Sequence, residues 1–257
     1  MTRRADGSAG DANYGQIGQD YAVYRQPEPA IAQTILVALG NARNVLNVGA
    51  GAGSYEPTDR DVTAVEPSAP MRSQRSEHLV PALDAVAENL PFADRQFDAA
   101  MTTFSIHQWA NLEAGLREVR RVTRGPVIVL SCDPALVRRF WLNDYAPKVL
   151  AAEARRYPSL EQVGKVLGGH VSIEAVPIPL LCRDGFNEAY YGRPEGLLDD
   201  AARLACSAWS FVQKETSAAY VQHLCRDLSD GTWDRKHGRL RTQRVFDGSL
   251  RLLISRS

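Results

Sequence analysis

Three glycines and one acid carry the most pointed chemistry in this chain. Gly49, Gly51 and Gly53 stand directly after the apolar run NVLNV (residues 44–48), and Glu66 closes a second apolar run, VTAV (62–65). Glycine reaches positive φ without penalty and lets a ligand lie against bare backbone. A carboxylate at a strand end accepts from both hydroxyls of a ribose, each charge-assisted bond being worth roughly 1.5–3 kcal/mol before desolvation. The combination is the layout of a site for a nucleotide-type cofactor. The spacing excludes two common versions of it. A G-x-G-x-x-G dinucleotide loop needs its third glycine where Ser54 stands, and a phosphate-cradling G-x-x-x-x-G-K-[ST] loop needs a lysine that does not follow.

Two later stretches carry matching chemistry. In AENLPF (87–92), Glu88 or Asn89 can bond an adenine amino group while the backbone around Ala87 reads the ring edge. In FDAAMTTFSIHQW (97–109), a strand runs into a polar-aromatic turn holding Thr103, Phe104, His107 and Trp109. A histidine titrating near neutrality suits a general base. Asp133 follows the next strand and precedes Pro134, a position that also suits a helix N-cap. His170, His223 and His237 read as structural.

These residues need a scaffold, and the periodicities supply one. PAIAQTILVAL (29–39) puts Ile31, Ile35 and Leu39 on one helical face, with Gly40 just past its end. Strands are expected at 44–48, 62–65, 83–86, 96–104 and 126–132, with a helix at 111–123 carrying Leu112, Leu116, Val119 and Val122. Alternating strands and helices imply an α/β fold with a mostly parallel sheet and right-handed crossovers. Open sheets of this kind bind ligands beyond the C-terminal ends of their strands, where all the motifs above fall. After residue 133 the text changes. Helical insertions are expected at about 134–168 and 184–235, around a proline-broken edge strand at 170–180, and a last strand at 248–255. The N-terminal residues 1–13 read as a disordered tail, and 14–257 as a single domain with its core at 30–133.

In this order the motifs resemble those of class I S-adenosylmethionine-dependent methyltransferases, of the methyltransferase type 11 group that includes ubiquinone- and menaquinone-biosynthesis enzymes. VLNVGAGAGSY is similar to the family's first motif, VTAVEPS to the strand ending in the ribose-binding acid, AENLPFADRQFDAAMTTFSIHQW to the adenine-contacting segment, and REVRRVTRGPVIVL to the helix-to-fifth-strand passage. The resemblance implies a Rossmann-like, seven-stranded sheet with an antiparallel strand near one edge. It implies S-adenosyl-L-methionine as cofactor, with Asn47, Gly49, Ala50, Gly51, Gly53, Glu66, Pro67, Met71, Ala87, Glu88, Asn89, Thr103, Phe104 and His107 around it. It also implies that the segment holding Tyr14, Tyr21, Tyr24 and Arg25 folds over the cofactor, with Arg25 toward the methionine carboxylate. His107 and Asp133 are the catalytic candidates at the acceptor rim. Trp109, Tyr191, Arg193 and Trp209, with Tyr190, are the candidates for lining an acceptor.

One departure from the family pattern stands out. Family members place a helix between the glycine loop and the second strand, whereas SYEPTDRD (54–61) is short and carries Pro57. At most one helical turn is expected there.

Composition limits the partners. Lys+Arg and Asp+Glu are both 30, so there is no basic excess of the kind a nucleic-acid binder shows. The four cysteines lack C-x-x-C spacing, which argues against a zinc site or a disulfide framework. No metal is expected, and no apolar run suits a membrane span or signal peptide. A cytoplasmic enzyme acting on a small, partly apolar molecule is the leading expectation, as monomer or homodimer. A cofactor-binding regulatory or scaffold protein without catalysis and a nicotinamide-dependent oxidoreductase are the alternatives.

Overall fold

The computed structural model describes residues 21–256; the expected tail and Tyr14 lie outside the described residues. Strands β1 (Asn44–Val48), β2 (Asp61–Val65), β3 (Ala99–Thr103), β4 (Val127–Cys132), β5 (His170–Ala175), β6 (Ile178–Pro179), β7 (Val245–Phe246) and β8 (Leu250–Arg256) alternate with helices. The main sheet has six strands in the order β2-β1-β3-β4-β8-β5. β2, β1, β3 and β4 are parallel, and β8 runs antiparallel between β4 and the edge strand β5.

Among the described residues the sheet therefore has six strands rather than seven. Residues 83–86 form a single parallel bridge, Val65 with Leu83, instead of a strand. Pro81 removes a backbone donor just before the bridge, and the chain turns at Val86–Asn89 immediately after it. The expected strand at 170–180 divides into β5 and β6 around Val176-Pro177, and β6 pairs with β7 in a separate ribbon.

Alternation along each central strand feeds two apolar layers. Val45, Met101, Ile128, Leu130, Leu252 and Ile254 face one cluster, which extends into the helices of the C-terminal half. Leu46, Val48, Ala100, Val129 and Leu253 face the other, covered by helices Leu112–Val122 and Leu160–Leu167. The helix expected at 29–39 spans Pro29–Leu39, buries Ile31, Ile35 and Leu39, and takes a cap from the Glu28 side chain. Helix Leu112–Val122 starts on Asn111, whose side chain accepts from the Ala114 amide.

Between Gly53 and β2 there is no helix. Tyr55 adopts φ 66°, a left-handed conformation that a helix cannot contain. Its buried ring and the buried Glu56 fill the space under the crossover. The arginines of the helix before β4, and Arg124 just past its end, are tied internally. Arg117 pairs with Glu113, Arg121 with Glu118 and Asp94, and Arg124 with Asp98, while Arg120 donates to Ser255.

Candidate functional site

The β1–β3 neighbourhood is where strand order reverses, and a crevice opens there beyond the C-terminal ends of the strands. The crevice holds about 860 Å³ of space, open solvent at its mouth included. The glycine loop forms its floor. The amides of Gly49 and Ala50 both donate to the Val65 carbonyl at 3.0 Å, which ties the loop to the end of β2. Gly49 and Gly51 have φ of 67° and 53°. A Cβ on Gly49 would collide with Ser105 Oγ, so the close approach of the 105–109 turn requires glycine at that position.

Glu66 lies at the centre of the floor. Its carboxylate accepts from the Gly51 amide at 2.9 Å and from the Ser68 amide at 2.8 Å. It is only 7 % exposed. Burial pushes its carboxyl upward, opposed by those two amides and by Arg72 and Arg75. The wall facing it combines Ala85 to Glu88 with Trp109, whose indole donates to Ser105 Oγ at 3.0 Å. Phe104 closes the far side at φ 51°, a strained value for an aromatic residue.

Residues remote in sequence complete the mouth. The Arg25 guanidinium pairs with Asp184 and lies 5.0 Å from the centroid of the Phe104 ring. Tyr55 donates to the other Asp184 oxygen at 2.8 Å, and Ser54 donates to the Arg25 carbonyl. Asp184 is 2 % exposed and is held between these two donors. Arg25 is therefore neither a surface residue nor an unsatisfied cation waiting for a ligand carboxylate.

Most of the expected cofactor set meets in this crevice: Tyr21, Arg25, Gly49, Ala50, Gly51, Glu66, Pro67, Met71, Ala87, Glu88, Thr103 and Phe104 line it. Trp109, expected on the acceptor side, lines it as well. Four members stand elsewhere. Asn47 is fully buried behind the floor and donates to Glu56 at 2.9 Å. Gly53 faces backwards, with Leu79 and Arg75 where its side chain would be. Asn89 lies past the lining segment, in the turn that closes on the Val86 carbonyl. His107 opens instead into a second cavity, its ring 4.7 Å from that of Tyr157. Burial, with the charges of Arg156 and Arg25, pushes His107 down to about 3, so it is a neutral imidazole at physiological pH and a feeble base.

The other acceptor-side expectations change as well. Asp133 lines neither cavity and caps the short helix Pro134–Val137 through the Ala135 amide. Tyr191 is fully buried, stacked on Phe246 and donating to the Gln243 carbonyl. Arg193 donates to the carbonyls of Cys182 and Ala189. Both were pulled into packing because the C-terminal helices form a continuous core with the sheet. Trp209 lines neither cavity, but its indole donates to Asn187, a residue of the second one. Tyr55, Ser105, Gln108 and Asp184 line the crevice without having been singled out from the sequence. Tyr55, Ser105 and Gln108 stand in motifs already noted, whereas nothing local marks Asp184. Among the described residues no His/Cys/Asp/Glu group is placed to hold a metal ion.

Residues 46–130 match the methyltransferase domain family Methyltransf_11. The chain is 35 % identical over 125 residues to the malonyl-[acyl-carrier protein] O-methyltransferase of Pseudescherichia vulneris, covering 44 % of this chain and 48 % of that protein. It is 27 % identical over 178 residues to the demethylmenaquinone methyltransferase of Porphyromonas gingivalis, covering 57 % and 69 %. The match to the first of these spans about half of that relative's length. A crystal structure from Anabaena variabilis, described as a candidate methyltransferase of an antibiotic biosynthesis pathway, superposes with TM-score 0.85. It is 28 % identical, with 91 % of this chain and 99 % of that chain covered.

Proposed function

We propose that the chain is a class I methyltransferase of the type 11 group and transfers the methyl group of S-adenosylmethionine to a small-molecule acceptor, a reading supported by the domain match and by the likeness to a solved methyltransferase structure. The observation that carries this is the glycine floor with Glu66 set into it. A loop too close to Ser105 for any side chain at Gly49, beside a buried carboxylate at the end of β2, fits a nucleoside ribose. The adenine would lie between the Ala85–Glu88 backbone and Trp109. The methionine end would run along Gly49 toward Phe104 and Arg25.

When bound, S-adenosylmethionine supplies a sulfonium methyl that is already electrophilic. What the chain must add is alignment and exclusion of water, which together supply roughly 7–11 kcal/mol in well-oriented reactions. Phe104, Tyr21 and the Arg25–Asp184 pair suit that work, lining one end of the crevice from three separate parts of the chain. We assign residues 14–257 to one domain, with core 30–133 and acceptor-side insertions at about 134–168 and 184–235. The apolar cluster shared by sheet and insertions supports this division. No described helix is long and apolar enough to cross a membrane. The four free cysteines, three of them buried, support a reducing, cytoplasmic setting.

Calorimetry with S-adenosylmethionine and with NAD tests the cofactor. Tight binding of the first and none of the second is expected, and the reverse would overturn the assignment. Release of S-adenosylhomocysteine in an acceptor screen separates an enzyme from a non-catalytic binding protein.

A further inference from the structure

A second cavity of about 450 Å³ adjoins the first, and Tyr21, Arg25 and Phe104 line both. These shared residues make the two spaces direct neighbours. Its distinctive group is Glu153, on helix Pro147–Arg156. The Asn187 amide nitrogen donates to Glu153 Oε2 at 2.7 Å, and Asn187 is fixed in turn by the Trp209 indole at 3.0 Å. The carboxylate is thus oriented by a relay, yet no cation among the described residues forms an ion pair with it. Arg25 and Arg156 line the same cavity and act on Glu153 through space, but the hydrogen bonds described for them go to other groups. Arg25 is paired with Asp184. Arg156 donates to Ser207 and lies over the Phe211 ring at 4.5 Å. Phe104, Tyr157 and Phe186 line the same space.

We infer that this cavity is the acceptor site, that Glu153 is its recognition group, and that the acceptor is a small amine, received as its ammonium ion. The inference rests on the methyltransferase reading above. An unpaired carboxylate among aromatic rings is the chemistry that holds an ammonium, by charge and by cation–π attraction. An alcohol of the same shape finds one hydrogen bond and no ionic partner. In the reaction, the ammonium gives one proton to the Glu153 carboxylate. The freed nitrogen lone pair attacks the methyl carbon, the N–C bond forms as the C–S bond breaks, and sulfur keeps the bonding pair. The product leaves as the methylated ammonium, and the proton on Glu153 passes to solvent. Burial pushes the Glu153 carboxyl upward, opposed by the Asn187 hydrogen bond and by Arg156 and Arg25.

The test is calorimetry on the full chain saturated with S-adenosylhomocysteine, using amine and alcohol pairs of one carbon skeleton, from ethylamine and ethanol to phenethylamine and phenylethanol. Amines are expected to bind at least tenfold more tightly than their alcohols. Glu153→Gln is expected to bring the amines down to the alcohol level while leaving S-adenosylhomocysteine affinity intact. Equal affinity for both series, no amine binding, or full amine affinity in the variant overturns the proposal. The wild-type comparison decides the point even if the variant misfolds. Failure of the wild type to bind S-adenosylhomocysteine would instead overturn the methyltransferase reading itself.

Discussion

Glu66 Oε2 accepts a 2.9 Å hydrogen bond from the backbone amide of Gly51, joining the acid after β2 to the glycine loop after β1. The two elements that read as a cofactor site are thus one mechanical unit. The amide pins the carboxylate within the crevice, and the carboxylate braces the loop. Glu66→Gln keeps the shape and removes the charge. It is expected to weaken S-adenosylmethionine binding by tenfold or more, about 1.4 kcal/mol, measured calorimetrically. Unchanged affinity would remove Glu66 from ribose recognition.

Gly49→Ala places a methyl group on Ser105 Oγ at a backbone φ of 67°. Both effects act on the crevice floor. Cofactor affinity is expected to fall at least tenfold, and Ser105→Gly in the same chain is expected to restore part of it. Absence of any rescue would mean that backbone strain, rather than the close approach of the 105–109 turn, dominates.

His107 makes the fold sensitive to acid. Its folded value near 3 lies below the unfolded 6.5, so the unfolded chain binds more protons between those limits. Its contribution to stability is complete above about 6.5 and declines as the pH falls toward 3. His107→Gln is expected to shrink the loss of urea-midpoint stability between neutral and mildly acidic buffer. An identical loss in both proteins would show that other groups govern it. The same argument predicts that turnover of the wild type carries no histidine limb near neutrality.

Behind the glycine floor, Arg75 and Glu56 form a two-bond ion pair at 2.9 and 2.8 Å, with side chains only 4 % and 1 % exposed. Removing one partner strands the other charge. Glu56→Ala is expected to cost about 3–5 kcal/mol of folding stability by denaturant titration. A loss below about 1 kcal/mol, typical of exposed pairs, would show that water reaches the site.

The parts of the site that depend on sequence neighbours were legible in advance. Helix 29–39, the helix before β4 and the central strands follow from apolar period and caps. The absence of a helix between Gly53 and β2 follows from a short segment containing Pro57. The third expected strand failed because Pro81 removes a backbone donor beside it and the chain turns at Val86–Asn89, leaving only the bridge at Leu83.

The chain alone determined the glycine cradle, its acid and most of the central strands, because backbone freedom at glycine and side-chain alternation are properties of adjacent residues. Tertiary structure decided which side chains share a space. Tyr55 meets Asp184 across 129 positions and Asn187 meets Glu153 across 34, pairings that no local pattern encodes. It also decided protonation. His107 in a turn motif reads as a base near neutrality, and only its burial between the sheet and the C-terminal helices turns it into a neutral wall of the second cavity.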